Sequence, residues 1–109
     1  MDAVGPRLDS ARRVFTSDAE VARALGVDPA EVARWRRGQR PAENDANRLA
    51  ALDAMIQMLD GYLSPSRTRR WLTGPNANLG DGSPLTALRA DEVPSVIAAV
   101  RVLRSGAHG

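Results

Sequence analysis

The longest amphipathic pattern in the chain is NDANRLAALDAMIQMLDGYL, from Asn44 to Leu63. Its large apolar residues recur at alternating steps of three and four positions: Leu49, Leu52, Ile56, Leu59 and Leu63, with Met55 beside them. This spacing predicts a helix with one continuous apolar stripe. At ~1.5 Å per residue the helix would be about 25–30 Å long, so its two ends would contact different neighbours. Gly61 weakens it near the C-terminal end.

Length and composition limit the class of protein. The chain has 109 residues, which fits one compact domain or two very small units that share a core. It has no run of ~20 apolar residues and no basic-then-apolar leader, so we expect no membrane segment. Without cysteine, disulfides and thiolate metal sites are excluded and the cytoplasm is the expected compartment. The single histidine, His108, cannot build a metal centre alone, and we expect neither metal nor cofactor.

Charge is distributed unevenly along the chain. All 15 basic residues are arginine, and the net charge is +2. Residues 1–41 carry eight arginines against six acids, residues 42–63 one against four, and residues 64–109 six against three. The two ends are therefore basic and the central helix is acidic.

Two short helices are predicted upstream of the central one. Met1 to Pro6 has no periodicity and is expected to be loose. A first helix is predicted from Asp9 to Phe15. A second is predicted from Asp18 to Leu25, because Ser17 offers a hydroxyl N-cap and Glu20 stands at the capping-box position.

A third helix follows after a short turn. Gly26 ends the preceding helix, since a residue without Cβ can adopt a positive φ. Asp28 before Pro29 is a helix start signal, and the helix is expected to run to about Arg37 and to stop at Gly38. Val32 and Trp35 are expected to face inward, and we assign Trp35 to the core.

A helix, a three-residue turn with glycine and a second helix have the spacing of a helix-turn-helix. In such folds the second helix lies in the major groove, where arginine binds phosphate or guanine and glutamine binds adenine. The candidate DNA-binding residues are Ala30, Arg34, Arg36, Arg37, Gln39 and Arg40. Two amphipathic helices joined through glycine can also imitate this motif, and an arginine run can be a solvated face. The acidic start, Asp28 to Glu31, suits base reading poorly, so DNA contact would rest on Arg34, Arg37 and Gln39 or be weak.

Downstream, start signals mark two more short helices around a loop. Ser64-Pro65 predicts a helix to Leu72 that faces Trp71 and Leu72 inward and leaves Arg67, Arg69 and Arg70 on its polar side. The loop GPNANLGDGSP follows, with Leu79 as its only large apolar residue and expected anchor. Ser83-Pro84 predicts a short helix through Leu88 that buries Leu85 and Leu88.

The last helix has a strong apolar stripe: Val93, Val96, Ile97, Val100 and Leu103. Asp91 is expected to cap it. Together with the central stripe, this is more apolar surface than a monomer this small readily covers, which predicts a partner such as a second copy. The alternative is that the two stripes pack on each other in one core.

Two separated pieces resemble the Xre/MbcA/ParS-type antitoxins. One is ARWRRGQ followed by a long helix, and the other is WLTGPNANLGDGSPLTAL. The matching elements of the second piece are Trp71-Leu72, Pro75-Asn76, Leu79, Gly80 or Gly82, and Pro84-Leu85. The resemblance covers about Leu8 to Leu103.

The resemblance implies an all-α chain in which a helix-turn-helix bundle (7–43) is joined by a central helix (44–63) to a small toxin-binding and dimerisation domain (64–109). It implies an antitoxin, not an enzyme, that binds a cognate RES-domain toxin that degrades NAD. It further implies a homodimer or higher toxin-antitoxin complex that binds operator DNA and represses its own operon.

We expect the loop and the basic tail to contact the toxin. A basic tail suits insertion into a cleft that binds an anionic dinucleotide. The candidate toxin-binding residues are Asn76, Asn78, Leu79, Arg101, Arg104, Ser105 and His108. The alternative function is a stand-alone helix-turn-helix regulator whose C-terminal half only dimerises or senses a ligand. A neighbouring toxin gene would separate the two.

Overall fold

Residues 3–106 are described by the computed structural model, and all regular structure within them is helical. The α-helices are α1 (Val4–Arg12), α2 (Asp18–Leu25), α3 (Pro29–Arg36), α4 (Glu43–Leu59), α5 (Pro65–Thr73), α6 (Pro84–Arg89) and α7 (Val93–Arg104). A 3₁₀ turn, Ala77–Leu79, lies between α5 and α6. The predicted all-α class is confirmed. No described helix is both long enough and apolar enough to cross a membrane.

Helix α4 is the element around which the others pack. It contacts α1, α2, α6 and α7. Its buried residues are Leu49, Leu52, Met55, Ile56 and Leu59, which confirms the predicted stripe. Its predicted end at Leu63 is wrong, because Asp60 is extended and Gly61 has a φ of 79°. The N–H groups of Tyr62 and Leu63 both bond to the carbonyl of Leu59, so the chain turns there instead of continuing the helix.

Helix α1 begins earlier than the sequence predicted. It runs from Val4 to Arg12, so the expected loose start at Met1 to Pro6 is wrong for the last three of these residues. Val4, Leu8 and Ala11 are buried at helical spacing, and their burial extends the helix toward the N-terminus. Val14 and Phe15 follow the helix and are also buried.

Local capping fixes the starts of α2 and α3 as predicted. The Ser17 hydroxyl accepts the N–H of Glu20 at 3.1 Å, and the Asp28 carboxylate accepts the N–H of Ala30 at 2.8 Å. Gly26 ends α2 with a φ of 75°. The predicted core position of Trp35 is confirmed at 4% exposure. Its indole N–H is buried with no hydrogen-bond partner among residues 3–106.

The starts of α5 and α6 also follow prediction, whereas the cap of α7 does not. The hydroxyls of Ser64 and Ser83 accept the N–H groups of Arg67 and Thr86, at 3.3 and 3.0 Å. Asp91 does not cap α7. Its backbone has a φ of 62°, and its carboxylate accepts two hydrogen bonds from the Arg48 guanidinium instead.

One apolar core joins the two halves of the chain. It unites the α4 stripe with Leu8, Leu25, Val32, Leu72, Leu88, Val96 and Val100. Among the described residues, the exposed large apolar side chains are Tyr62 at 44% and Val102 at 37%. The two stripes thus pack on each other in one core, while Val93, Ile97 and Leu103 of α7 are only partly buried. The expected partner stays a prediction. The division at residues 43 and 63 stays a prediction.

Candidate interaction surfaces

The predicted DNA-binding residues lie on α3 and just beyond it. Some of their side chains form ion pairs within the chain, and others do not. Ala30, Arg37, Gln39 and Arg40 are exposed. Arg34 donates to the Glu31 carboxylate one helical turn earlier. Arg37 and Arg40 have no ion pair within residues 3–106. The exposed cations at the end of α3 are therefore available to an anionic partner.

Arg36 is also exposed, but its guanidinium is ion-paired within the N-terminal half of the molecule. Its guanidinium donates to the carboxylates of Asp9, at 2.7 Å, and Asp18, at 3.1 Å, and its side chain is 29% exposed. The hydrogen bond from Arg36 holds the pKa of Asp18 below its usual range. Arg36 thereby ties α3 to α1 and α2. The sequence placed it with the DNA-facing arginines, since an ion pair across 18 and 27 positions leaves no local signal.

The loop between α5 and α6 is organised by Asn76. Its side-chain oxygen accepts the N–H of Asn78 at 2.9 Å, and its carbonyl accepts those of Leu79 and Asp81. Its own N–H donates to the carbonyl of Gly82 at 3.0 Å. The loop is thus closed on itself. Asn78 is exposed.

The same loop rests on α7. Leu79 is partly buried against the core, which confirms it as the anchor, and the 3₁₀ turn contacts α7. Arg101 and Arg104 are exposed on α7 and have no ion pair among the described residues. Ser105 ends the helix, and its hydroxyl donates to the carbonyl of Val102 at 2.7 Å. The structure thus brings the loop and α7, two parts of the predicted toxin-binding set, into contact. His108 lies outside the described residues.

Arginines from the C-terminal half hold both ends of α2, which sequence reasoning missed. At its start, Arg69 on α5 donates to the Glu20 carboxylate at 2.8 and 3.1 Å. At its end, Arg89 donates to the carbonyls of Arg23 and Ala24, at 3.3 and 3.4 Å. Arg48 adds a bond to the carbonyl of Leu25 at 3.4 Å. Cations are favourable beside the last carbonyls of a helix, so these contacts fix α2 against α4, α5 and α6.

We expect the Glu20–Arg69 contact to make stability depend on pH in acid. Hydrogen bonds to its carboxylate, first from Arg69 and then from Thr16, lower the pKa of Glu20 from 4.5 to about 2. Because the folded-state pKa is lowered, the stabilisation is complete above about pH 4.5 and is lost as the pH falls toward 2. Glu20→Gln should therefore lower the free energy of unfolding at pH 6, and this deficit should shrink toward pH 2. Urea unfolding at a series of pH values measures it.

Glu43→Gln is the control, since Glu43 is exposed on α4 with no ion pair in the described part of the chain. The loss of unfolding free energy in this control variant should be smaller than in Glu20→Gln and should change little over the same pH range. A deficit for Glu20→Gln that stays constant down to pH 2 would contradict the assignment.

Six of the exposed arginines without a carboxylate partner among residues 3–106 form three separate pairs, and a seventh, Arg23, lies alone on α2. One pair is Arg37 and Arg40 after α3, one is Arg67 and Arg70 on α5, and one is Arg101 and Arg104 on α7. Each pair is three positions apart, so the pairs can be substituted in the same way and compared. Within residues 3–106, no group of three histidine or acidic side chains could hold a metal ion.

The fold is shared with a protein of known structure. A chain in the crystal structure of the M. tuberculosis MbcT-MbcA toxin-antitoxin complex superimposes with a TM-score of 0.77. It is 24% identical, and the match covers 97% of this chain and 94% of that chain. No protein-family model and no curated protein sequence matches the chain. At this identity the likeness establishes the fold, and it agrees with the family resemblance in the sequence.

Proposed function

We propose that this chain is a cytoplasmic antitoxin that binds and blocks a RES-domain toxin that degrades NAD, and that represses its own operon. The observation that carries the proposal is the near full-length likeness to a chain from a toxin-antitoxin complex. The segment from Trp71 to Leu88, which carries the family resemblance, supports it independently. In this chain that segment comprises the end of α5, the loop and most of α6, and the 3₁₀ turn within the loop contacts α7.

The toxin would be bound by the loop and the C-terminal part of α7. The loop is held in one shape by the Asn76 hydrogen bonds, so little conformational entropy would be lost when a partner binds it. Arg101 and Arg104 carry charges that no described carboxylate neutralises. A toxin surface with carboxylates would complement them and would be recognised through two-pronged hydrogen bonds.

Replacing Arg101 and Arg104 together with glutamine is expected to weaken toxin binding about 10- to 100-fold, because two charge-assisted contacts are lost. The tagged chain is first used to capture its partner from native cytosol, and mass spectrometry identifies that partner. Calorimetry with the purified partner then gives the affinity of each variant.

Arg67→Gln with Arg70→Gln is the matched control, since it removes the same charge from α5 and should leave toxin affinity unchanged. If only the control pair weakens binding, the toxin contacts α5 and our placement of its surface is wrong. If no stoichiometric partner of toxin size is captured, the antitoxin proposal fails.

The DNA-binding part of the proposal places Arg37, Gln39 and Arg40 on the operator. Their exposure and the free charges of the two arginines support this. A homodimer would present two copies of α3 to half-sites about one DNA turn apart. The stand-alone regulator remains the second candidate, supported by the same arginines, and it predicts promoter binding without a captured toxin.

A further inference from the structure

A cavity of about 170 Å³ opens to solvent between α2, α5 and α6. Its floor is apolar and consists of Phe15, Ala24 and Leu85, all at most 5% exposed. Polar groups stand at its wall, chiefly Arg23, Arg89 and Glu20. An apolar floor with a few convergent polar groups is the usual composition of a ligand site.

The charges on this wall favour an anion in the cavity. Arg23 has no carboxylate partner among the described residues, and Arg89 donates to backbone carbonyls and to the Thr86 hydroxyl. Glu20 is already bonded to Arg69, which does not line the cavity. Because Arg69 neutralises Glu20, the charges of Arg23 and Arg89 have no unpaired carboxylate beside them in the described cavity wall. A cavity of this size holds one head group, so a single carboxylate fits it.

The size of the cavity limits its occupant. Sites for drug-sized ligands usually have volumes of about 300–1,000 Å³. This cavity accepts a group about as large as one amino-acid side chain. Such a group would place its apolar body on Phe15, Ala24 and Leu85. Its head would meet Arg23 and Arg89, and guanidinium groups bind carboxylates in a planar, two-pronged geometry.

We propose that the cavity between α2, α5 and α6 binds a small apolar monocarboxylate, either free in solution or as the C-terminal carboxylate of a peptide chain. The site is separate from the loop on α7 and from the arginines after α3, and it does not depend on the proposed antitoxin role. It is built from both halves of the chain. An occupant would therefore add a contact between α2 and the helices α5 and α6.

Benzoate is the probe for the free acid. We expect it to bind saturably with a Kd in the millimolar range, which is usual for a ligand with so few atoms. Two-dimensional NMR at constant ionic strength should place the largest amide shifts at Arg23, Ala24, Leu85 and Arg89. Benzamide has the same shape without the charge and should not saturate.

Arg23→Gln should weaken benzoate binding at least about fivefold, since it removes one of two cations that hold the head. Arg23 is exposed on α2, so the variant should fold normally. Arg67→Gln is the matched control and should bind like the wild type. Equal affinity in the two variants, or shifts that grow linearly over the whole surface, would overturn the proposal.

The source of the carboxylate is tested with acetyl-Ala-Leu and its C-terminal amide. Tighter binding of the peptide acid than of benzoate identifies a chain terminus as the ligand, and the reverse order identifies a free acid. Either result, with no binding of the amide, supports a carboxylate site. If neither acid binds saturably, there is no such site.

Discussion

Replacing Arg37 and Arg40 together with alanine is expected to reduce affinity for promoter DNA about 10- to 100-fold near 0.15 M salt. Both side chains are exposed just after α3, and neither has an ion pair within residues 3–106. Each would displace one counterion from the phosphate backbone, so the slope of log K against log salt should decrease in magnitude by about 2. Fluorescence anisotropy of labelled promoter DNA at several salt concentrations measures both quantities.

Two matched variants show whether the effect is local. Arg67→Ala with Arg70→Ala removes the same charge from α5 and should change neither affinity nor slope by a comparable amount. Arg101→Ala with Arg104→Ala should behave like this control on DNA. If all three pairs reduce affinity equally, the protein is attracted by net charge alone and α3 has no special role. An unchanged affinity in the Arg37 and Arg40 variant would exclude these residues from the DNA contact.

Arg36→Ala would be a misleading test of DNA binding, although the residue lies between Arg34 and Arg37. Its guanidinium joins α3 to Asp9 and Asp18. Removing it leaves Asp9 without an ion pair among the described residues and Asp18 with only Arg12, at 3.5 Å. Lost DNA binding in that variant would therefore report a disturbed fold as well as a missing contact.

Leu52→Ala is expected to lower the free energy of unfolding by about 2–5 kcal/mol, through lost transfer energy and the cavity left behind. Leu52 is 0% exposed at the middle of α4. A small domain has a total stability of only about 5–15 kcal/mol, so this one change would remove a large part of it. Urea unfolding followed by circular dichroism measures the loss.

Asn47→Ala is the control on the same helix. Asn47 is exposed, and its replacement should change the free energy of unfolding by no more than about 0.5 kcal/mol. A loss for Leu52→Ala as small as that of the control would mean that α4 is not the centre of the core in solution.

The parts of this fold that could be predicted are those fixed by neighbours in sequence. Four of the five predicted caps, Ser17, Asp28, Ser64 and Ser83, each accept an N–H two or three positions ahead. The apolar stripe of α4 was equally readable, because helical periodicity is local information. These signals were enough for the all-α class and for most helix starts.

The failures involve partners that are far apart in sequence. Asp91 was assigned to a local cap, but its carboxylate bonds to Arg48, 43 positions away, and this contact lowers the pKa of Asp91. Arg69 was one of three arginines with no assigned role, and its partner Glu20 is 49 positions away. Which of the charged residues form ion pairs depends on how the helices pack, and local sequence does not show that. The predicted DNA-binding set therefore includes Arg36, whose carboxylate partners lie 18 and 27 positions away; the set itself stays a prediction.

The contacts that hold both ends of α2 limit how the two halves of the chain can be exchanged. A chain with two functional halves is often treated as two units that can be exchanged independently. Here Arg69 and Arg89, both from the C-terminal half, hold the first and last turns of a helix in the N-terminal half. A chimera that takes its two halves from different relatives would inherit mismatched contacts at both ends of α2. A Cβ at position 26 would lie only 3.0 Å from Cδ of Arg89. Successful exchange would therefore have to transfer Glu20 with Arg69, and Gly26 with Arg89, as coupled pairs.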